Sequence, residues 1–303
     1  MKIDFPIALG CMSLTGTWNP AEMNAEREKR AVQAFEAAFE AGITFYDHAD
    51  IYGGGTCEEV FKTCLAQVPD AREKIQIATK GGIGDGRYNL SHEYLNECIA
   101  RSLKRMDIEY IDVYQVHRPD PFTHPRETAK VLNEAMKSGV IRSVGVSNYY
   151  PEQVRALQAY LDAPIVSQQI SISLDRLDPI YEGWNTGKGR VGDGTLDQCM
   201  ALDMVPLAYS PLGGGRLAQD REHGLSDTQK TIRLVLISLS EKLNHAPTQI
   251  ALSWLLSHPS GIIPLVGSAN PEHIREAAQA SDLRLSREDW YSLWTAAWNR
   301  NAP

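Results

Sequence analysis

Four side chains that can hold or move protons lie at the ends of three consecutive predicted strands. Asp47 ends the second strand, and Tyr52 follows it five residues later. Lys80 ends the third strand and His117 ends the fourth. A free tyrosine titrates at about 10 and a free lysine at about 10.4, and a buried ammonium beside a phenol pulls the tyrosine pKa toward neutrality. The set therefore predicts a phenol that donates and recovers a proton near neutral pH.

The other two members of this set have predicted roles of their own. The Asp47 carboxylate would keep the Lys80 ammonium charged, and an N–H of His117 would position a carbonyl oxygen over the tyrosine. Such a set can supply the proton that the reduction of a carbonyl group needs. The reaction also needs a hydride, which a cofactor would provide. Each residue alone has a plainer explanation: a solvated lysine, a histidine at a rim, a tyrosine packed beside Gly53–Gly55. Their occurrence at consecutive strand ends favours the active-site interpretation.

Two other chemistries use some of the same residues. Lys80 is a candidate Schiff-base nucleophile, as in an aldolase, although Asp47 would keep the lysine charged and suppress its nucleophilicity. A metal-hydrolase site would recruit Asp47, His48, Asp50 and His117. Strand alternation places neighbours 47 and 48 on opposite faces, and no H-x-H pair follows the first strand, which disfavours the metal site.

The elements that position these residues recur along the chain as short apolar runs rich in β-branched residues. Segments with helical periodicity and clear end signals lie between them. Near-continuous apolar strands that alternate with helices require parallel pairing, with the helices outside the sheet. The predicted strands are 7–12, 43–49, 75–80, 111–117, 141–147, 165–172, 205–209 and 262–266.

Eight strand–helix units in 303 residues favour a single-domain (β/α)8 TIM barrel over an open doubly wound sheet. No composition shift or linker divides the chain, so residues 1–303 are predicted to form one catalytic domain. Ser91, Pro125 and Asn270-Pro271 are predicted to open helices. Ser286 begins a capping box for an extra C-terminal helix. The segment 183–194 holds five glycines in twelve residues, which is typical of a long functional loop.

Composition excludes several classes of protein. With 43% hydrophobic and 22% charged residues, the chain is typical of a globular protein. Its net charge of −8 gives no basic excess for nucleic acid or an anionic membrane surface. No apolar stretch approaches the roughly 20 residues that span a bilayer, and the N-terminus is predicted to be a strand rather than a secretory signal. Five scattered cysteines without a C-x-x-C pair favour a cytoplasmic protein without a disulfide framework or zinc site.

Seven blocks of sequence follow one another along nearly the whole chain. They are F-Y-D-H-A-D-I-Y-G (45–53), I-A-T-K-G-G (77–82), V-H-R-P (116–119), G-V-S-N (145–148), Q-Q (168–169), A-Y-S-P-L-G-G-G-R-L (208–217) and V-G-S-A-N-P-E-H-I-R-E-A (266–277). In this order they resemble the aldo-keto reductase superfamily. G-G-G-R-L and Trp290 are especially similar to its bacterial oxidoreductases of the YdhF type. The resemblance implies an NAD(P)H-dependent enzyme that reduces aldehydes or ketones to alcohols, with Tyr52 as general acid.

The resemblance also implies the cofactor NADP(H) and a catalytic tetrad of Asp47, Tyr52, Lys80 and His117. In this scheme Tyr209 stacks on the nicotinamide ring. Glycines after it allow the pyrophosphate to approach the backbone, and the helix that opens at Pro271 offers an anion site. The implied cofactor-binding residues are Met12, Asp47, Ser147, Asn148, Gln168, Tyr209, Ser210, Pro211, Leu212, Gly213, Arg216, Gly267, Ser268, His273 and Glu276.

The chain departs from the family pattern at the positions that distinguish NADP from NAD. His273 stands where the family usually has an arginine for the adenosine 2′-phosphate, and Ala277 stands where asparagine is common. A histidine is a weaker phosphate partner than an arginine. NADPH is still the predicted cofactor, because the resemblance covers the rest of the site.

The predicted substrate is a small carbonyl compound, and an aromatic-lined pocket would favour apolar aldehydes, ketones or quinones. A non-catalytic alternative is a nicotinamide-binding regulatory protein with slow turnover, like the channel-associated β subunits that resemble this superfamily. The complete tetrad favours turnover. The candidate substrate-facing residues, for which ordinary loop packing is an equal explanation, are Trp18, Tyr88, Arg118, Tyr149 and Trp184.

Overall fold

The computed structural model describes residues 2–181, 194–217 and 224–298. Eight short parallel strands close into one barrel, in which each strand pairs with its sequence neighbours and the last pairs with the first. The predicted (β/α)8 barrel is confirmed, although several strands are shorter than their apolar runs. The strands are β1 (Ala8–Gly10), β2 (Phe45–Asp47), β3 (Gln76–Gly81), β4 (Val113–Val116), β5 (Val144–Ser147), β6 (Ile165–Ser171), β7 (Val205–Tyr209) and β8 (Ile263–Val266).

Helices follow the strands and cover the outside of the barrel, and the predicted end signals are in place. Ser91 Oγ accepts a hydrogen bond from the N–H of Tyr94, and Asn270 Oδ1 accepts one from Glu272. Gly139 ends its helix in the left-handed conformation, with φ 81°. The α-helices are Ala25–Glu40, Thr56–Gln67, Ala71–Lys74, His92–Met106, Pro125–Ser138, Pro151–Gln158, Asp178–Tyr181, Thr195–Ala201, Asp227–Leu243, Pro247–Leu256, Pro271–Ala278 and Arg287–Trp298.

The inside of the barrel is filled in layers. An apolar cluster that includes Leu207 and Ile263 fills the part nearer the N-terminal ends of the strands. Because side chains alternate along a strand, the next inward position on three of the strands is two residues further on, and it is polar. The apolar layer therefore supports a polar layer at the C-terminal mouth. The paired positions are Phe45 and Asp47 on β2, Ala78 and Lys80 on β3, and Val113 and Gln115 on β4.

Two arginines of the helix His92–Met106 hold the segment that follows β2. Arg105 Nη1 donates to the Asp50 carbonyl oxygen at 2.7 Å and to Glu58 Oε2 at 3.3 Å. Arg101 Nη2 donates to the Asp50 carboxylate at 2.9 Å. The Arg105 side chain passes so close to Gly55 that a Cβ there would lie 2.3 Å from the guanidinium carbon. These contacts tie the segment to the outer helix.

The C-terminal helix packs on the outside of the barrel, against neighbouring helices. The predicted cap is present, since Ser286 Oγ accepts from the N–H of Asp289 at 3.1 Å. Trp290 stacks on Trp254 with ring centroids 5.1 Å apart. Each indole N–H also donates to the other residue's carbonyl oxygen, at 2.9 and 3.2 Å. This reciprocal contact fixes the helix on the barrel wall.

One small element is not among the predicted ones. Ile83–Gly84 and Arg87–Tyr88 form an antiparallel hairpin whose turn residues, Asp85 and Gly86, have φ 51° and 72°. Asp-Gly is a strong signal for such a turn, but strands of two residues show no alternation. The glycine-rich segment 183–194 lies outside the described residues except for Gly194.

No helix within the described ranges is long and apolar enough to cross a membrane. All five cysteines are buried and free, so none forms a disulfide. The cytoplasmic location stays a prediction.

Gly55→Ala is expected to lower the free energy of unfolding by about 2–4 kcal/mol. Alanine would have to adopt the left-handed backbone of Gly55, and its methyl group would also clash with the Arg105 side chain. Gly139→Ala is the control, since its φ is 81° and no atom of the part of the chain that the structure describes lies within 4 Å of its Cβ position. The free energy of unfolding of Gly139→Ala should fall by only about 1–2 kcal/mol. Urea unfolding of the two variants tests this, and equal losses would contradict the close approach of Arg105.

Candidate active site

The centre of the polar layer is a buried ion pair between β2 and β3. Lys80 Nζ donates to Asp47 Oδ2 at 2.7 Å and to the His48 carbonyl oxygen at 2.6 Å. Lys80 is 0% exposed and Asp47 is 2% exposed. Asp47 Oδ1 accepts from the side-chain amides of Gln115 at 2.9 Å and Gln169 at 2.8 Å. Both charged groups are thus hydrogen-bonded, which a buried pair requires.

The ion pair keeps Lys80 positively charged. Burial lowers the pKa of the Lys80 ammonium, but the negative charge of Asp47 and the interaction with Tyr52 together outweigh it, so the pKa lies above its ordinary value. A protonated amine has no lone pair with which to attack a carbonyl carbon. The structure therefore disfavours the Schiff-base interpretation of Lys80.

Tyr52 lies directly beside this pair. It begins a 3-10 turn, Tyr52–Gly55, and the centre of its ring is 4.8 Å from Lys80 Nζ. Its ring makes edge contacts with Trp18 and His117, with centroids 6.3 and 6.2 Å apart. Burial raises the pKa of the Tyr52 phenol by more than Lys80 lowers it. This direction is opposite to the sequence prediction, and it leaves the phenol protonated at neutral pH.

The tetrad histidine, His117, and its neighbour His48 are both neutral. Burial, with the charges of Lys80 and Arg118, lowers the pKa of His117 to about 3. Burial and the charge of Lys80 likewise lower the pKa of His48 to about 3. His48 packs against the ring of Phe61, with centroids 4.3 Å apart, in the layer outside the strands. Within the described ranges, no group of three or more His, Cys, Asp or Glu side chains could hold a metal ion.

A cavity of about 1210 Å³ extends from the tetrad across the barrel mouth to the helix Pro271–Ala278. His117 and Tyr52 line its inner end. Most of the cofactor-binding residues implied by the sequence line the same cavity, because they follow the C-terminal ends of the strands. They are Met12, Asp47, Ser147, Asn148, Tyr209, Ser210, Pro211, Leu212, Gly267, Ser268, His273 and Glu276.

Gln168 does not line this cavity. It is 0% exposed, and its side-chain amide donates to the Tyr149 carbonyl oxygen. Gln169 lines the cavity instead, because it is in register with Ser147 and shares its face of the sheet. The sequence placed two adjacent glutamines on one strand, and alternation alone does not show which one points inward. Gln169 is therefore the candidate, and the assignment of Gln168 is corrected.

Gly213 and Arg216 also lie elsewhere, beside a second cavity that borders the loop after β7. Arg216 Nη2 is 3.4 Å from Asp175 Oδ2, and the side-chain amide of Gln229 donates to both carboxylate oxygens of Asp175 at 3.0 Å. A Cβ at Gly213 would lie 3.1 Å from that carboxylate. These residues thus hold the loop rather than face the main cavity.

Of the predicted substrate-facing residues, Trp18 and Arg118 line the main cavity. Tyr88 lies on the hairpin and is 46% exposed, and Tyr149 is buried and does not line the cavity. Trp184 lies outside the described residues. Trp18 and Arg118, on the loops after β1 and β4, are therefore the two predicted substrate-facing residues that remain candidates.

Two cavity residues other than glycine have a left-handed backbone: Asn148 with φ 60° and Ser210 with φ 52°. Such residues are uncommon, and they concentrate at functional sites. Tyr209 Oη donates to Asn148 Oδ1 at 3.0 Å, and Asn148 Nδ2 donates to Ser147 Oγ at 2.7 Å. These bonds fix the Tyr209 ring across the cavity from the tetrad.

The chain is similar to known proteins along nearly its whole length. The model of the "Aldo/keto reductase family" matches residues 6–297. The chain belongs to this family. This aldo/keto reductase is 38% identical over 295 residues to a 6-dehydroglucose reductase of Novosphingobium aromaticivorans, covering 95% of this chain and 92% of the relative. It is 32% identical over 297 residues to the oxidoreductase YdhF of Escherichia coli, covering 95% and 94%.

Among solved structures, one similar fold is an aldo/keto reductase from Klebsiella pneumoniae in complex with NADP and acetate. The TM-score is 0.73 at 24% identity, and the match covers 95% of this aldo/keto reductase and 89% of the other chain. The likeness to the YdhF type inferred from the sequence is confirmed.

Asp47→Asn and Lys80→Met are each expected to lower the free energy of unfolding of this aldo/keto reductase by about 3–5 kcal/mol, because each leaves one buried charge without its partner. The double variant should lose less free energy of unfolding than the two single variants lose together, since neither buried charge remains. Urea unfolding measures all three.

The exposed pair Lys62–Asp107 provides the control cycle, with side chains 55% and 68% exposed. Lys62→Met and Asp107→Asn should each change stability by no more than about 1 kcal/mol. Strict additivity at Asp47 and Lys80 would show that the two charges do not compensate each other.

Proposed function

We propose that this aldo/keto reductase reduces an aldehyde or ketone to an alcohol with a hydride from NADPH, and that Tyr52 donates the proton. The observation that carries the proposal is the contact of a buried, charged Lys80 with both Asp47 and Tyr52 at the inner end of a long cavity. A charge in this position serves to stabilise the phenolate that remains after proton donation.

The cavity fits a dinucleotide cofactor. Its lining reaches from the tetrad to the helix Pro271–Ala278. The N-terminus of a helix is a favourable binding site for a phosphate. At Gly214 and Gly267, a Cβ would meet no atom of the described residues within 4 Å, so among those residues the backbone is open to a close ligand there. The Klebsiella pneumoniae aldo/keto reductase, which has the same fold, was solved with NADP.

Separate groups of residues would hold the parts of NADPH, which supplies a hydride to the carbonyl carbon when it is bound. The side chains of Ser147, Asn148 and Gln169 offer hydrogen bonds to the carboxamide, with Gln169 in place of Gln168, which the family resemblance implied. Tyr209 would stack on the nicotinamide ring. The residues proposed for the pyrophosphate and adenosine are Ser210, Pro211, Leu212, Gly214, Gly267, Ser268, His273 and Glu276.

The protein's own groups complete the reduction. The Tyr52 hydroxyl donates its proton to the carbonyl oxygen, and the electron pair of the O–H bond remains on the phenolate. The substrate thus gains a hydride at carbon and a proton at oxygen, which makes an alcohol. The Lys80 ammonium stabilises the phenolate until solvent returns a proton. The phenol's raised pKa suits a donor that must be protonated at neutral pH.

His117 and Asp47 position the reacting groups. His117 is neutral, and a neutral imidazole carries one N–H that can donate to the carbonyl oxygen. Asp47 holds the lysine in place through the 2.7 Å contact between Lys80 Nζ and Asp47 Oδ2. The substrate screen should include sugar aldehydes, since the Novosphingobium aromaticivorans relative is a 6-dehydroglucose reductase.

Tyr52→Phe is expected to lower kcat for carbonyl reduction by about 10²–10⁴-fold, because the proton donor is lost. Its Kd for NADPH should stay within about twofold, since the phenol only borders the cofactor site. Absorbance at 340 nm and fluorescence titration measure the two quantities.

Tyr46→Phe is the matched control, because the Tyr46 hydroxyl is buried without a hydrogen-bond partner among the described residues. It should leave both quantities unchanged. Turnover close to wild type in Tyr52→Phe would contradict the mechanism. Tight NADPH binding by the wild type without reduction of any carbonyl in a wide panel would instead support the slow regulatory alternative.

His273→Arg is expected to raise the ratio of NADPH affinity to NADH affinity by about tenfold, because an arginine binds a 2′-phosphate more strongly than a histidine. His273 lines the cavity, whereas Arg275 pairs with Glu40 at 3.3 Å and does not. Arg275→Gln is therefore the control and should leave the ratio unchanged. A constant ratio in His273→Arg would mean that this position does not meet the phosphate.

A further inference from the structure

Arg118 is a half-buried arginine that has no partner among the residues that the structure describes. Arg118 lines the main cavity, and its side chain makes no ion pair, hydrogen bond or ring contact with any residue in the described ranges. The other half-buried arginines of those ranges all have partners, so the absence is specific to this position. They are Arg27, Arg72, Arg101, Arg105 and Arg233.

The acid nearest to Arg118 in the sequence does not face it. Asp120 Oδ2 accepts from the N–H of Leu90 at 3.0 Å and the hydroxyl of Thr123 at 2.6 Å. Asp120 Oδ1 accepts from the N–H of Phe122 at 2.9 Å. Neutral donors therefore satisfy the hydrogen bonds of this carboxylate, and no acidic side chain among the described residues forms an ion pair with Arg118.

Among the described residues, Arg118 is the charged side chain at the reactive end of the cavity that has no ion-pair partner. The charge of Asp47 is balanced by Lys80, and His117 is neutral. The remaining described lining near Tyr52 is largely apolar and includes Trp18 and Ile83. In such surroundings a single cation attracts an anion more strongly than it would at an exposed surface.

The position of Arg118 separates it from the proposed phosphate sites. It follows β4, whereas Gly267 and Ser268 follow β8, and these strands lie on opposite sides of the closed barrel. The pyrophosphate and adenosine phosphate of the cofactor would therefore bind across the mouth. Arg118, next to His117, faces the space left for the substrate.

We propose that the carbonyl substrate carries an anionic oxygen group, a carboxylate or a phosphate, that Arg118 binds while the carbonyl lies at Tyr52 and His117. This inference rests on the proposed function. The planar guanidinium offers paired N–H groups that match two oxygens of either anion. The sequence-based expectation of an apolar substrate accounts for Trp18 but leaves this cation without a role.

The test compares aldehydes with and without an anionic group. The first pair is 4-oxobutanoate and its methyl ester, and the second is glyceraldehyde 3-phosphate and glyceraldehyde. We expect kcat/KM for the anion to exceed that for its neutral partner by about tenfold or more in at least one pair. The pair that shows the preference distinguishes a carboxylate from a phosphate. The KM of the preferred anion should rise with ionic strength.

Arg118→Met should lower kcat/KM for the preferred anion by about 10–100-fold, through KM, and change that for the neutral partner by less than about threefold. Arg118→Lys keeps the charge without the planar fork and should recover part of the loss. Arg87→Met removes an arginine from the exposed hairpin, where its side chain is 72% exposed, and should alter neither rate.

The outcomes separate the two proposals. If each aldehyde is reduced but the anions have no advantage, or if Arg118→Met affects both members of a pair equally, this inference is wrong and the proposed function stands. If no member of either pair, nor any compound in the wide carbonyl panel, is reduced with NADPH or NADH, the proposed function itself fails.

Discussion

A lysine without exposed surface must have its charge balanced and its N–H groups accepted, because an unpaired buried ion is strongly destabilising. Asp47 and the carbonyl oxygen of His48 meet this requirement for Lys80, and Gln115 and Gln169 occupy the remaining carboxylate oxygen. These groups come from β2, β3, β4 and β6, so they meet only when the barrel closes in this register. The position of the ammonium is therefore a property of the whole barrel, and the phenol beside it is oriented by the same packing.

The sequence predicted the barrel and the tetrad because both follow from local signals: apolar runs define strands, and the carboxyl ends of parallel strands meet at one mouth. It could not decide between Gln168 and Gln169, because alternation does not fix which residue of a strand points inward. It also gave the wrong direction for the pKa of Tyr52, since burial depth is a tertiary property. The placement of Arg216 beside Asp175 depends on the path of a loop, which has no periodic signal.

The residues proposed for proton transfer and those proposed to contact the substrate lie on different parts of the fold. The groups proposed to transfer the proton lie on strands or in a turn held by Arg101 and Arg105, whereas Trp18 and Arg118 lie on loops after β1 and β4. Loops tolerate substitution better than strands of a closed barrel. With the roles proposed for Trp18 and Arg118, a change of substrate in this protein would need changes at the rim, while the buried pair and its amide partners could stay the same.

The neutral histidines His48 and His117 make the stability of the native protein depend on pH in acid. The His48 imidazole is fully buried and neutral, with a pKa of about 3, and His117 has the same value. An unfolded chain takes up protons at both rings at about pH 6.5, whereas the native barrel does not. The contribution of these rings to native stability is complete above that pH and declines as pH falls toward 3, by about 1.4 kcal/mol per unit for each ring. Two neutral imidazoles kept dry thus make an acidic compartment an unfavourable environment for this fold.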